Sequence, residues 1–372
     1  MGVSRRLVQR VIRPAGIELD GDRPWDVRVH DDRVFRRVLT RGTLGVGESY
    51  MDGWWDAERV DELVARAQRV DVASRLATPL DLVRSAATRV RNPQTRERSR
   101  EVGVRHYDIG NDLYARMLDR RMIYSCAYWR DASDLDAAQE AKLRLVANKL
   151  RLEPGMRLLD VGCGWGGAAR HFAEANGCEV VGVTISREQA ALAREHCAGL
   201  PVEIRLQDYR NVDERFDRVY SIGMFEHVGV RNHRAFMEVL RRNLADPDGL
   251  ALLHTIGAGT SRRTADAWIN RYIFPNSMLP SAAQITAAAE GLLVLEDWQN
   301  FGPDYDRTLM AWHRNVEAAW PDLPGYGERF RRMWRFYLLA SAGMFRARSL
   351  HLWQLVFSRD GSSDTYRPPS IR

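Results

Sequence analysis

The decamer LLDVGCGWGG, Leu158 to Gly167, limits what this chain can fold into more than any other stretch. Glycines at 162, 164, 166 and 167 let the backbone turn tightly from a strand into a helix and approach a ligand closely. The flanks carry the same message. MRLLDV precedes the loop as a strand, and GGAARHFAEAN follows it as a helix. EVVGVTI, VEIRL, FDRVYSI and LALLHTI then read as strands, with SREQAALAREHC and RNHRAFMEVLRRNL as helices between them. Continuous apolar strands between amphipathic helices predict an α/β fold whose parallel sheet is covered on both faces. GERFRRMWRFYLLASAGMFRAR predicts a long helix near the end, and LHLWQLVFS a final strand.

Residues 1–90 differ in character. WDVRVHD and RVFRRVLT read as short strands, RGTLGVGESYMDGWW as a glycine-rich turn region, and RVDELVARAQRV as a helix. A smaller α+β domain is expected there. RVRNPQTRERSREVG is polar and charged, which places a linker at 91–102 and leaves 103–372 as a self-contained second domain.

Composition excludes several classes. Hydrophobic content of 45% and charged content of 28% are ordinary for a soluble protein. No apolar run approaches the length of a membrane span. A twin arginine near the start is not followed by a long apolar segment, which argues against secretion, and Arg6 breaks the myristoylation pattern. The four cysteines form no C-x-x-C pair, so neither a zinc site nor a disulfide framework is expected, and a reduced cytoplasm fits. Only two of the 55 basic residues, Lys142 and Lys149, are lysine, a ratio that codon bias in a GC-rich genome explains. The net charge of +6 suits an anionic membrane surface or nucleic acid. No zinc-finger, RNP or homeodomain signature supports nucleic acid. RRLVQRVI is a short basic amphipathic pattern that suits either a membrane surface or a helix covering the N-terminal domain.

Asp160 stands on the strand before the glycines. A dinucleotide site wants its acid about 20 residues later, on the next strand, where this chain has GVTIS. The order D-x-G-x-G is instead that of Rossmann-like S-adenosylmethionine-dependent methyltransferases. Ser186 and Gln189 form S-x-x-Q, equally readable as a capping box and as a ribose contact. Gln207, Asp208 and Tyr209 offer an acceptor for an adenine amino group and an aromatic face for its ring. Glu226 and His227, in SIGMFEHVG, sit where a buried strand ends; metal ligation, acid–base work and packing are all open to them.

HYDIGNDLYARMLDRRMIYSCAYW, MFEHVG, LLHTIG, YIFPN, DYDRTLMAW and AGMFRARSLHLWQLVFSR together resemble the cyclopropane-fatty-acyl-phospholipid synthase family. GTLGVGESYMDGWW resembles the N-terminal domain of its phospholipid-acting bacterial members. The resemblance implies a class I methyltransferase domain, its seven-stranded sheet mostly parallel with the last strand antiparallel. It implies an N-terminal domain for lipid recognition and dimerisation. It also implies methylene transfer from S-adenosylmethionine to the cis double bond of an unsaturated phospholipid in the bilayer. A carbocation-like chain then loses a proton to bound hydrogen carbonate, without a metal. The ligands implied for that ion are Cys126 through its N–H, Glu226, His254, Ile256 through its main chain, Tyr305, and the backbone of Gly223. Those implied for the cofactor are Tyr124, Ser125, the loop from Leu159 with Asp160, Gly162, Gly164 and Gly166, then Thr184, Gln189, Gln207, Asp208 and Tyr209. A cytoplasmic homodimer bound peripherally to the inner face of the membrane is expected. One departure stands out: Ser341 occupies a position where some relatives carry cysteine, so no thiol mechanism operates there. Three other readings compete. They are a relative making methylene- or methyl-branched chains, a catalytically dead lipid-transfer protein, and a nucleic-acid methyltransferase. The retained Glu226, His254 and Tyr305 argue against the second, and the absence of an N-P-P-Y-type loop argues against the third.

Overall fold

The computed structural model describes residues 2–76, 110–245, 247–261, 266–361 and 365–369; the expected linker at 91–102 lies outside them, as do residues 106–109 of the HYDIG motif. The chain forms two compact units. One gathers Met1–Pro93, Arg263–Ser277 and Tyr305–Leu350; the other gathers Gln94–Arg262, Met278–Asp304 and His351–Arg372. The units therefore interleave along the sequence, where a single boundary was expected.

The second unit is built on a seven-stranded sheet. Its strands are β1 (Arg157–Val161), β2 (Glu179–Thr184), β3 (Val202–Leu206), β4 (Arg218–Ile222), β5 (Leu250–Ala258), β6 (Val294–Asn300) and β7 (Leu350–Ser358). Their order across the sheet is β3-β2-β1-β4-β5-β7-β6. The first five pair in parallel, and β6 pairs antiparallel with β7. Alternation along β1 explains why both faces are covered. Leu159 and Val161 join a core with Phe225, Phe236 and Leu240, while Leu158 joins Leu143, Val146 and Phe172 in another. β6 escapes sequence reading because Glu296, Asp297, Gln299 and Asn300 make most of it polar, so it lacks a buried strand's apolar run. The order reverses between β1 and β4, and in such sheets the crevice at the carboxyl ends of these strands is where ligands bind.

The first unit is more helical than expected. RVFRRVLT is not a strand, and the glycine-rich stretch is a turn only at Asp52–Trp54: Arg33 to Met51 form one helix, broken only by a kink at Gly42. The glycines serve close packing. A Cβ on Gly47 would stand 2.3 Å from the indole of Trp268. The expected helix is present as Val60–Arg69. The helix Glu328–Arg346 packs on it so closely that a Cβ on Gly343 would lie 2.3 Å from the carbonyl oxygen of Asp61. Arg346 then bridges Asp61 at 2.6 Å and Asp306 at 2.9 Å. Strand structure in the described part of this unit is a ribbon of Arg28–Val29 against Trp55–Asp56. RRLVQRVI lies in the helix Val3–Ile12, with Val8 and Ile12 buried and Val3 and Leu7 exposed. No helix among the described residues is long and apolar enough to cross a membrane.

Candidate functional site

The site is built at the carboxyl ends of β4 and β5, in the second unit. Ile222 ends β4 opposite His254 of β5. Gly223 follows with φ +74°, a backbone conformation that favours glycine, and its N–H donates to the His254 carbonyl at 2.9 Å. The 3₁₀ turn Phe225–His227 then carries Glu226 inward. The Ile256 N–H donates to Glu226 Oε1 at 2.7 Å. Oε2, buried, makes no hydrogen bond among the described residues. Burial pushes the Glu226 carboxyl up to about 7, against a smaller lowering by the Ile256 N–H.

His254 is fully enclosed. Gln354 Nε2 stands 3.2 Å from its Nδ1. With the amide donating, a neutral imidazole carries its proton on Nε2, which is buried without a hydrogen-bond partner among the described residues. Burial, aided by Lys142 and Lys149, holds the imidazole well below its usual range and therefore uncharged. Phe301 meets its ring edge-on at 5.8 Å. The turn after β4 and strand β5 thus hold two buried polar atoms, Glu226 Oε2 and His254 Nε2, both unspent. Buried polar groups in folded proteins are almost always paired, so this geometry suits a small polar guest.

The segment Ile123–Cys126 is fastened alongside. Asp119 accepts the Ile123 N–H at 2.8 Å, Gln139 Nε2 donates to the Ser125 carbonyl at 2.9 Å, and Lys142 Nζ donates to Ser125 Oγ at 3.0 Å. A Cβ on Gly223 would lie 3.7 Å from the Ser125 Cβ and 3.9 Å from the Tyr124 carbonyl oxygen. Tyr124 meets Tyr114, which lies against Trp165 of the glycine loop. Cys126 is fully buried with its thiol donating to the Ala127 carbonyl at 3.2 Å.

The glycine loop has the expected form. Gly162, Gly164 and Gly166 all have positive φ, and the Gly162 and Cys163 N–H groups donate to the Val183 carbonyl. A Cβ on Gly162 would meet Met224 at 2.8 Å. Asp160 is buried, with Oδ2 lacking a partner among the described residues, and burial lifts its carboxyl to about 7 despite Tyr220 and Lys142. Ser186 Oγ caps the next helix by accepting the Gln189 N–H, while the Gln189 side chain takes the Thr184 hydroxyl at 3.0 Å rather than closing the box. Gln207 is tied to the Thr184 carbonyl, and Asp208 is held by Arg210 at 2.6 Å and 2.8 Å, with Tyr209 against Phe236.

Some expected contributors stand differently. The Leu159 side chain is core, leaving only its backbone for a ligand. The N–H groups of Gly223 and Ile256 are already spent inside the protein. Tyr305 belongs to the first unit, where it is buried between Phe345 and Trp312. His227 is half-buried beside the site. No group of three or more His, Cys, Asp or Glu able to hold a metal occurs among the described residues. Gln139, Lys142 and Gln354 went unread in the sequence, although the scarcity of lysine was a visible signal for Lys142.

A family described as mycolic acid cyclopropane synthetase matches residues 94–355. The cyclopropane-fatty-acyl-phospholipid synthase of Escherichia coli (strain K12) is 51% identical over 356 residues, 95% of this chain and 93% of that one. The tuberculostearic acid methyltransferase UfaA1 of Mycobacterium tuberculosis is 34% identical, covering 89% of this chain and 82% of its own. Among solved structures, the mycolic acid cyclopropane synthase CmaA1 complexed with SAH and CTAB is 33% identical, with TM-score 0.65 over 70% of this chain and 98% of that one.

Proposed function

The chain belongs to the mycolic acid cyclopropane synthetase family, and we propose that it carries out the reaction of the phospholipid-acting members. It is an S-adenosylmethionine-dependent methyltransferase that adds a methylene group across the cis double bond of unsaturated phospholipid acyl chains. The observation that carries this reading at the site is the pair of unspent buried atoms, Glu226 Oε2 and His254 Nε2, beside a class I cofactor loop.

The residues present fit S-adenosylmethionine. The carboxyl-end crevice holds an unpaired buried Asp160 oxygen and a loop that only glycine can form at Gly162. Asp160, Gly164, Gly166, Thr184, Gln189, Gln207, Asp208 and Tyr209, with Tyr124 and Ser125, would hold the cofactor. When bound, it supplies an electrophilic methyl group. Glu226 and His254 would hold hydrogen carbonate, whose chemistry is that of a base for the methylated acyl chain. Glu226 keeps or exchanges a proton at Oε2, so that it does not oppose an anion with a second charge. His254 donates from Nε2 and orients the ion. Phe301, edge-on to the His254 ring and in contact with Tyr128, brings apolar surface beside the site, which would help keep water from a cationic centre.

Lipid recognition belongs in this reading to the first unit. The exposed side of the helix Val3–Ile12 carries Val3 and Leu7 beside Arg6 and Arg10, a composition suited to an anionic bilayer surface. A peripheral, cytoplasmic homodimer is part of the same proposal.

The test is direct. Purified protein is incubated with S-adenosylmethionine and vesicles of unsaturated phospholipid, and the acyl chains are weighed. A gain of one CH₂ with the fragmentation of a cyclopropane is expected. A branched product would instead assign the chain to the methyl-branching members, and no mass gain would sink the proposal.

A further inference from the structure

The chain uses lysine twice among 55 basic residues, and both lysines lie fully buried on the helix Leu135–Leu150. Elsewhere it uses arginine without exception. Codon bias accounts for the arginines, and it makes the two retained lysines the informative positions. Lys149 has a plain structural role, since its ammonium pairs with Asp297 at 2.9 Å. Lys142 is different. Its ammonium donates to Ser125 Oγ, at 3.0 Å.

An ammonium has three donors and no acceptor, so Ser125 Oγ must accept. The hydroxyl proton of Ser125 is thereby turned away from Lys142, and among the described residues no acceptor takes it. Three residues back on the same helix face, Gln139 fixes the Ser125 carbonyl at 2.9 Å, so the backbone cannot swing to another arrangement cheaply. The serine stands at the carboxyl end of β4, with its Cβ 3.7 Å from where a side chain on Gly223 would be. A donor proton aimed from such a place, with a buried cation behind it, selects for an anion.

We propose that Lys142 is a positioning residue: it orients the Ser125 hydroxyl as a donor toward a carboxylate-type anion, either the carboxylate of the cofactor's amino-acid end or hydrogen carbonate. This rests on the reading above. Burial opposes the charge on the ammonium and lowers it to about 8, while the acids and the thiol facing it, Asp119, Cys126 and Asp160, favour that charge.

The test uses full-length protein with two nucleoside probes. S-adenosylhomocysteine carries the carboxylate, and 5′-methylthioadenosine lacks the whole amino-acid end. Lys142→Met keeps the unbranched stem and removes the terminal ammonium with its charge; Ser125→Ala removes the donor. Each variant is expected to bind S-adenosylhomocysteine about tenfold more weakly, with methylthioadenosine affinity within about twofold, as for one hydrogen bond to a charged group. The double variant should be no weaker than the weaker single one. If hydrogen carbonate is the anion, the ratio of the two affinities holds, and the bicarbonate concentration for half-maximal activity rises about tenfold instead. A merely structural lysine would lower thermal stability and move neither quantity. Should Lys142→Met fail to fold, the native chain decides: its preference for S-adenosylhomocysteine, or its bicarbonate requirement, must change as pH rises through about 8, and must stay flat in Ser125→Ala. Both quantities unchanged in folded Lys142→Met, or flat in the native chain, overturns the assignment. If the native chain binds neither nucleoside, the functional reading itself falls, and this proposal with it.

Discussion

The main-chain N–H of Ile256 donates to Oε1 of Glu226 at 2.7 Å, a bond from strand β5 to the turn after β4 that leaves the other carboxylate oxygen, Oε2, buried and unspent. The strand pairing that sets Ile222 opposite His254 makes this reach possible. The site is therefore a product of sheet register.

Glu226→Gln keeps the shape and the contact with Ile256 but can neither release nor take up a proton near neutral pH. Turnover on vesicles is expected to fall by ~10²–10⁴, with cofactor affinity little changed. Near-normal turnover in a folded variant would remove Glu226 from the chemistry.

Stability should fall as pH rises through neutrality. Burial raises Glu226 from 4.5 and Asp160 from 3.8, each to about 7, so each holds its proton more tightly folded than unfolded. The stabilising contribution is complete below the unfolded values and is lost as pH rises through the folded ones, on the order of 3 kcal/mol per group. Melting curves from about pH 5 to 8 should decline less steeply for Glu226→Gln than for the native chain. Parallel declines would contradict the burial of that carboxyl.

Chelation and carbon dioxide separate two kinds of centre. Activity should survive a strong chelator, fall when dissolved carbon dioxide is stripped, and return with added bicarbonate. A chelator that silences the enzyme while bicarbonate does nothing would replace the proposed site by a metal site.

Gly162→Val should weaken cofactor binding more than it slows the chemical step. The residue has φ +94°, and a Cβ would press on Met224 at 2.8 Å. Asp160→Ala should do the same by removing the carboxylate beneath the loop. Calorimetry showing native affinity in both would break the link between loop and cofactor.

Gly47→Ala tests the first unit alone. Its methyl would enter the Trp268 indole, at 2.3 Å. Overpacking of this kind costs about 1–3 kcal/mol, so a drop of several degrees in melting temperature is expected. An unchanged melting temperature would mean that the helix Arg33–Met51 does not meet Trp268 as described.

The sequence alone determined the α/β class, five parallel strands and the glycine loop, because buried strands and turn glycines are local patterns with strong physical causes. It also pointed to Glu226, since a charged residue at the end of an apolar strand is costly without a function or a partner, whereas His254 came only from the resemblance carried by LLHTIG. What it could not determine were the features that depend on distant partners. RVFRRVLT has a strand's β-branched content, yet it is helical because Val34, Phe35 and Val38 share one buried face. Gly47 makes room for Trp268, more than 200 residues away, so no local rule reads it. Nor does any local pattern say that 263–277 and 305–350 gather with the N-terminal residues. Tertiary structure likewise decided which N–H groups are spent, placing Ile256 on Glu226 and Gln354 on His254. It also turned two lysines from a matter of composition into ammonium groups held inside the core, because desolvation allows a charge there only with a specific partner.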